Sequence, residues 1–281
     1  MRPIEADKAL FNKGLGMSCV ENYLLYILTH LHFDYRPFYA KSFVSIADIT
    51  QTLCCDNIPF AFFNGIPRLQ NTACEMEAVR LTHLKKMEDV ALCDGYCCIK
   101  VNQQFIADRY ARTLWRDDHF VLLCRQSEGE YMLLNDIPQD ALHLDEAQLL
   151  AAFDGDAICF DVFLDTLSEE SKHKLLDAFR TSSSHLQKAP AFSFDSLEVA
   201  RDVLGLVRIT RRRIREYCAM YFNTDFMVDY LAKMDKLYAM LEYMRLRNRA
   251  DYGKVNQSFS ELQEQDFEVI DLINKRMRLI K

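Results

Sequence analysis

The stretch His119-Phe-Val-Leu-Leu-Cys124, then Arg125-Gln-Ser-Glu-Gly-Glu130, then Tyr131-Met-Leu-Leu-Asn-Asp136 reads as two β-strands joined by a tight turn. Apolar and β-forming residues fill both runs, and a polar link with one glycine separates them, which is the composition of a hairpin. With the turn centred between Ser127 and Glu128, His119 stands directly opposite Asp136. Opposed residues of an antiparallel pair share a face, with Cβ atoms about 4.5–5.5 Å apart. A carboxylate there holds the imidazole N–H and fixes its tautomer. Asn135 falls on the other face in this register. A slip of one residue exchanges the two, and Asn can orient a histidine as Asp does.

Upstream, Gly14-Leu-Gly16-Met-Ser18 leads into a helix predicted over Cys19 to His32, with Val20, Tyr23, Leu24, Ile27 and Leu31 at helical spacing. Cys19 opens that helix. The positive end of the helix macrodipole favours thiolate over thiol there, and first-turn N–H groups have no partner within the helix, so the amide of Cys19 can donate to an oxyanion. A thiol, an imidazole and an acid in the order Cys19, His119, Asp136 make a candidate nucleophilic triad: Cys19 attacks, His119 is the base, Asp136 orients it. Further strands are expected at 96–101 and 157–163, with a short helix between Asp145 and Phe153. This half is mixed α+β.

Near residue 165 the character changes, and the remainder of the chain reads at helical period with few Gly or Pro. Helices are predicted from Ser168 to about Phe179, from a capping box at Asp195-Ser-Leu-Glu198 to about Phe222, over 225–249, and over 257–279 after Gly253. Antiparallel packing of these helices makes a bundle. The reading is therefore a catalytic domain, 1–164, with an antiparallel sheet, followed by an α-helical bundle, 165–281. Tyr230, Leu231, Met234, Leu237, Met240, Leu241 and Met244 form an apolar stripe suited to its core. Arg208, Arg211, Arg212, Arg213 and Arg215 cluster on one helix, either as a solvated face tied to carboxylates or as a dock for an acidic, phosphate-bearing partner.

Half of the 281 residues are hydrophobic, enough for a substantial core, and the formal charge of −7 disfavours nucleic acid and anionic membrane as partners. No stretch is long and apolar enough for a signal peptide or a membrane span, so the expected location is the cytoplasm, with the ten cysteines reduced. Cys54-Cys55 and Cys97-Cys98 are adjacent pairs without zinc-knuckle spacing, and Cys93 and Cys97, four apart, have no matching second pair with a nearby His, so no metal is expected. No nucleotide-binding loop is present, and the long apolar helices leave homodimerisation open.

Gly16-Met-Ser-Cys19-Val-Glu-Asn-Tyr-Leu-Leu, Asp118-His119-Phe-Val-Leu-Leu and Leu134-Asn-Asp136-Ile-Pro138 together resemble the papain-like family of the butirosin biosynthesis protein H, and more distantly the leader peptidases that process bacteriocins. Gly95-Tyr-Cys-Cys-Ile-Lys-Val-Asn, Leu142-His-Leu-Asp-Glu-Ala-Gln-Leu-Leu and the helical tail also resemble that family's layout. The resemblance implies a papain-like fold and acyl transfer. An acyl or aminoacyl group would pass from a phosphopantetheine thioester on an acyl carrier protein to Cys19, and then to an amine of a small acceptor in natural-product biosynthesis. No bound cofactor is implied. The basic residues Arg208, Arg211, Arg212 and Arg215 would then meet the carrier. Papain-like enzymes place a Gln about six residues before the nucleophile as an oxyanion donor. This chain has Phe11, Asn12 and Lys13 there, and Asn12 can substitute. Two other readings stay open: a peptidase or amide hydrolase with the same triad, and a catalytically idle binding protein.

Overall fold

The computed structural model describes residue 4 and residues 14–55, 64–110, 119–127, 129–136, 139–163, 167–184 and 193–280. In chain order come α1 (Cys19–His30), α2 (Ile46–Thr50), α3 (Leu69–Glu75), β1 (Val79–Leu84), α4 (Met87–Leu92), β2 (Tyr96–Val101) and α5 (Gln103–Tyr110). Next are β3 (Phe120–Ser127), β4 (Glu130–Asp136), β5 (Gln139–Asp145), α6 (Glu146–Ala152) and β6 (Phe153–Val162). The last four are α7 (Glu169–Ser184), α8 (Leu197–Cys218), α9 (Val228–Leu246) and α10 (Tyr252–Met277). The protein is α+β, with one antiparallel six-stranded sheet and a helical C-terminal region. No helix among the described residues is long and apolar enough to cross a membrane.

The chain divides into two compact units, residues 1–35 with 68–167, and residues 36–67 with 168–281. The second cut lies close to the boundary expected at 164/165, but the sequence pattern does not separate 36–67 from its surroundings. That segment belongs with the helices because α8 holds it. Arg211 Nη1 donates to the carbonyl of Val44 (2.9 Å), and the buried Arg213 guanidinium lies over the Tyr39 ring (5.2 Å).

In the first unit the sheet order is β1-β6-β2-β3-β4-β5. Strand alternation sorts the residues to two faces. Cys97, Ile99, Val121, Leu123, Leu133 and Cys159 are buried in one cluster with Val90 of α4 and Leu149 of α6. The other parity faces α1, whose Tyr23 hydroxyl reaches Asp136. A reciprocal capping box starts α6: Asp145 accepts from the Gln148 N–H, and the Gln148 side chain accepts from the Asp145 N–H.

The β3·β4 register differs from the expected one by a single position. Leu122 pairs with Leu134 and Leu123 with Leu133, with an irregularity between Arg125 and Ser127. The turn encloses the two positions between Ser127 and Glu130, where Gly129 takes φ +75°, a left-handed conformation that glycine adopts at no steric cost. The pairing therefore pivots one place later than a turn centred on 127 and 128, and the irregularity sets the rest of the ladder.

In the second unit the cap of α8 is Ser196, not Asp195: its Oγ accepts from the Val199 N–H at 3.4 Å. Gly253 lies inside α10 instead of before it, because Asp251 caps the helix by accepting from the Lys254 N–H (3.0 Å). Tyr230, Leu231, Met234, Leu237 and Leu241 of α9 are core residues, while Met240 and Met244 are only half-buried.

Candidate active site

Cys19 is the first helical residue of α1 and its side chain is half-buried. Ser18 caps the helix, its Oγ accepting from the Glu21 N–H at 3.2 Å. Glu21 is the buried organiser of this corner. Its Oε2 accepts from the Met17 N–H (2.6 Å), two residues before the thiol, and its Oε1 accepts from the Leu69 N–H at the start of α3 (2.6 Å). One carboxylate thus fixes the backbone that delivers Cys19 and ties it to a second helix. Charge-assisted hydrogen bonds of this kind are the stronger ones.

Gly16 is required for the same reason. A Cβ built on it would lie 1.8 Å from Asn22 Oδ1 and 2.8 Å from Asn22 Cγ. The Asn22 side chain therefore crosses the glycine to reach β4, where its Nδ2 donates to Asp136 Oδ2 (2.8 Å). Gly16→Ala is expected to expel Asn22 from that bond and, on the acyl-transfer reading proposed below, to lower activity sharply. Gly155→Ala, where nothing lies within 4 Å of a built Cβ, controls for a general glycine effect, its own cost being the left-handed φ of +69°. Paired kinetic measurements and thermal melts on the two variants check this.

The end of β4 presents two adjacent polar residues to opposite faces, and both are buried. Asp136 turns to α1. It accepts from Asn22 and from the Tyr23 hydroxyl (Oδ1, 3.2 Å), and its own N–H donates back to that hydroxyl (3.2 Å). Burial first, then the Asp136 and Cys19 charges, push the Tyr23 phenol well above its ordinary range, so it stays protonated as the donor. Asn135 turns to His119: His119 Nε2 lies 3.0 Å from Asn135 Oδ1. An amide oxygen only accepts, so this pairing places the ring proton on Nε2 and makes Nδ1 the basic nitrogen of the neutral ring.

The imidazole partner is therefore Asn135, where the expected hairpin register selects Asp136. The reason is the one-place difference in register, which returns position 135 to the parity of His119. Asp136 instead anchors α1 one turn beyond Cys19. α1 and His119 thus bond to adjacent residues at the end of β4, Asp136 and Asn135 respectively. Asn12 and Asp118 lie outside the described residues.

The arginine cluster is committed within the helices. Arg211 is fully buried and paired with Asp266, with Nε–Oδ1 at 2.6 Å and Nη2–Oδ2 at 2.7 Å. Arg208 and Arg212 share Asp235, each with a contact at 2.8 Å, and Arg208 also lies over the Tyr238 ring. Arg215 is half-buried in the last turn of α8, where the negative end of the helix dipole favours a cation. These ion pairs with carboxylates on neighbouring helices account for the packing of Arg208, Arg211 and Arg212.

Among the other described cysteines, burial pushes the Cys97 thiol up to about 12 and raises Cys98, Cys124 and Cys218 strongly. Such thiols are inert at neutral pH. Brief alkylation at pH 7 is expected to label half-buried Cys19 and exposed Cys54 while leaving those four unmodified, as read by peptide mass mapping. Cys93 and Cys159 are joined by a disulfide, a departure from the all-reduced expectation, made by strand β6 meeting the segment before β2. The chain matches no family model and no curated protein.

Proposed function

We propose that the chain is a cysteine-dependent acyltransferase of papain-like arrangement, acting in the cytoplasm on a thioester-activated acyl group. The hydrogen bond from His119 Nε2 to Asn135 Oδ1 (3.0 Å) carries this reading. It matches the His-Asn half of the Cys-His-Asn variant of the nucleophilic triad, in which a neutral amide orients the histidine. Support comes from the other side of the same strand end, where Asp136 holds Asn22 and Tyr23 of the helix that Cys19 begins.

In this reading His119 Nδ1 takes the Cys19 proton and the thiolate attacks the thioester carbonyl. The carrier's thiol leaves with a proton, and the acyl group rests on Cys19. An amine then attacks the acyl-cysteine, its proton passes to the imidazole, and the Cys19 thiol is restored. Two lower barriers replace one high one. The donor is a phosphopantetheine thioester on an acyl carrier protein, and the acceptor is a small amine.

The test is intact mass spectrometry after mixing the protein with an acyl-carrier thioester. The expected result is one acyl adduct, mapped to Cys19, released quickly by added amine and slowly in buffer alone. Fast release by water would replace transfer with hydrolysis. No adduct, together with unchanged biological activity in Cys19→Ala, would overturn the enzymatic reading altogether.

A further inference from the structure

Three cysteines that the proposed chemistry does not use meet in the first unit. Cys159 on β6 pairs directly with Cys97 on β2, so their side chains leave the sheet on one face. Cys93 reaches the same point from the segment before β2, and the three sulfurs all lie within 4.8 Å of one another. Cys97 is fully buried, Cys159 is 3% exposed and Cys93 is half-buried.

The local backbone is shaped for this meeting. The Gly95 N–H donates to Cys93 Sγ (3.3 Å), holding that sulfur over β6. A Cβ on Gly95 would stand 2.5 Å from the Phe160 carbonyl and 3.0 Å from Cys159 Sγ, so only glycine lets Cys93-Asp-Gly-Tyr-Cys97 fold down onto β6. Asp161 adds a hard donor. It lies two residues beyond Cys159 on the same face of β6, and its Oδ1 is 2.8 Å from that same built Cβ.

A disulfide uses two of the three sulfurs and leaves the convergence of the third without a role. The Cα atoms of Cys93 and Cys159 are 7.1 Å apart, beyond the usual disulfide span of roughly 4.4–6.8 Å. Around a tetrahedral zinc with Zn–S near 2.3 Å, sulfurs stand about 3.8 Å apart, a spacing that a cluster confined within 4.8 Å accommodates. We propose that the reduced protein holds one thiophilic divalent cation, zinc, on Cys93, Cys97 and Cys159, with Asp161 or a water molecule in the fourth position.

Reaching that state from the disulfide takes two electrons and two protons from a dithiol reductant, which becomes its own disulfide as the Cys93–Cys159 bond opens to two thiols. Zinc then displaces one proton from each of the three thiols. The cation pins the segment before β2 to β6, a structural role separate from the Cys19 chemistry.

The test uses the full chain, reduced with a dithiol, cleared of excess reductant under inert gas and exchanged with zinc or cobalt(II). The expected results are one zinc per chain by elemental analysis and, with cobalt, a sulfur-to-metal charge-transfer band with intense tetrahedral visible absorption. Cys93→Ser, at the most exposed ligand, is expected to lose the stoichiometric ion, and Asp161→Asn to weaken binding roughly 10- to 100-fold, the usual loss when a partner outside the three thiolates is altered. The cobalt spectrum of the unaltered chain stands even if a variant fails to fold. Absence of that spectrum overturns the proposal, as does equal zinc uptake by Cys93→Ser or a Cys93–Cys159 bond that persists through reduction. Because none of these readouts involves acyl transfer, they succeed or fail independently of the function proposed for Cys19.

Discussion

Asp266→Ala is expected to destabilise the helical unit by about 3–5 kcal/mol, the usual cost of stranding one member of a buried ion pair. Asp266 is 3% exposed and Arg211 fully buried, and the carboxylate receives both guanidinium hydrogen bonds as well as the Tyr230 hydroxyl. Burial opposes the guanidinium charge, but Asp266 outweighs it, so Arg211 holds its proton more tightly than usual. Without Asp266 that charge would remain against Val44 and the Phe43 ring with no anion beside it. Urea denaturation followed by far-UV circular dichroism measures the loss. The companion is the triple substitution Arg211→Met, Asp266→Leu, Tyr230→Phe, which removes both charges and the Tyr230 hydroxyl together and leaves the Val44 carbonyl and the Thr210 hydroxyl, the latter still bonded to Val207. Apolar replacement of a whole buried network is often neutral or stabilising, so the triple variant is expected to recover most of what Asp266→Ala loses. If Asp266→Ala costs under about 1 kcal/mol, the pair belongs with screened surface contacts and the assignment of a structural role is wrong.

On the proposed acyl-transfer reading, His119→Ala is expected to slow acylation of Cys19 by about 10²- to 10⁴-fold, the range a positioned acid–base group contributes. The more informative comparison is between the two neighbours at the end of β4. Asn135→Ala removes the acceptor on His119 Nε2 and should lower the acylation rate while leaving unfolding nearly unchanged. Asp136→Asn leaves His119 with its partner but disturbs the acceptor set for Asn22 and Tyr23, and should act chiefly through stability and the placement of α1. Single-turnover acylation rates and thermal melts, taken on both variants, separate the two. Were Asp136→Asn to reproduce the kinetic defect of His119→Ala while Asn135→Ala did not, the assignment of Asn135 as the orienting residue would fall.

Several of these features are legible in local sequence and others are not, for definite reasons. The helix from Cys19, strand Tyr96–Val101 and the hairpin announce themselves because their apolar spacing is decided within about a dozen residues. Strands β1 and β5 escape that reading: Val79–Leu84 and Gln139–Asp145 mix exposed polar residues with few core contacts. The choice between Asn135 and Asp136 turns on where two residues of turn sit, and no hydrophobic pattern reports that. A shift of one place reverses every side chain in the strand. The pairing of the arginines is hidden for a related reason. Their carboxylate partners, Asp235 and Asp266, lie 23 to 55 positions away on other helices. The convergence of Cys93 and Cys97 with Cys159 is equally remote, since 66 residues separate the two that are bonded.

The path of the chain has a consequence during synthesis. Residues 36–67 leave the ribosome long before α8, the helix whose Arg211 and Arg213 they pack against, has been made. At about 5–20 residues per second, translating the roughly 145 residues between Pro67 and Arg211 takes about 7–29 s. Through that interval Phe38, Tyr39, Phe43, Ile46 and Ile49, all buried in the finished protein, have no core to enter. Until α8 is made the nascent chain carries an uncovered apolar segment, and slower translation would lengthen the time it stands exposed.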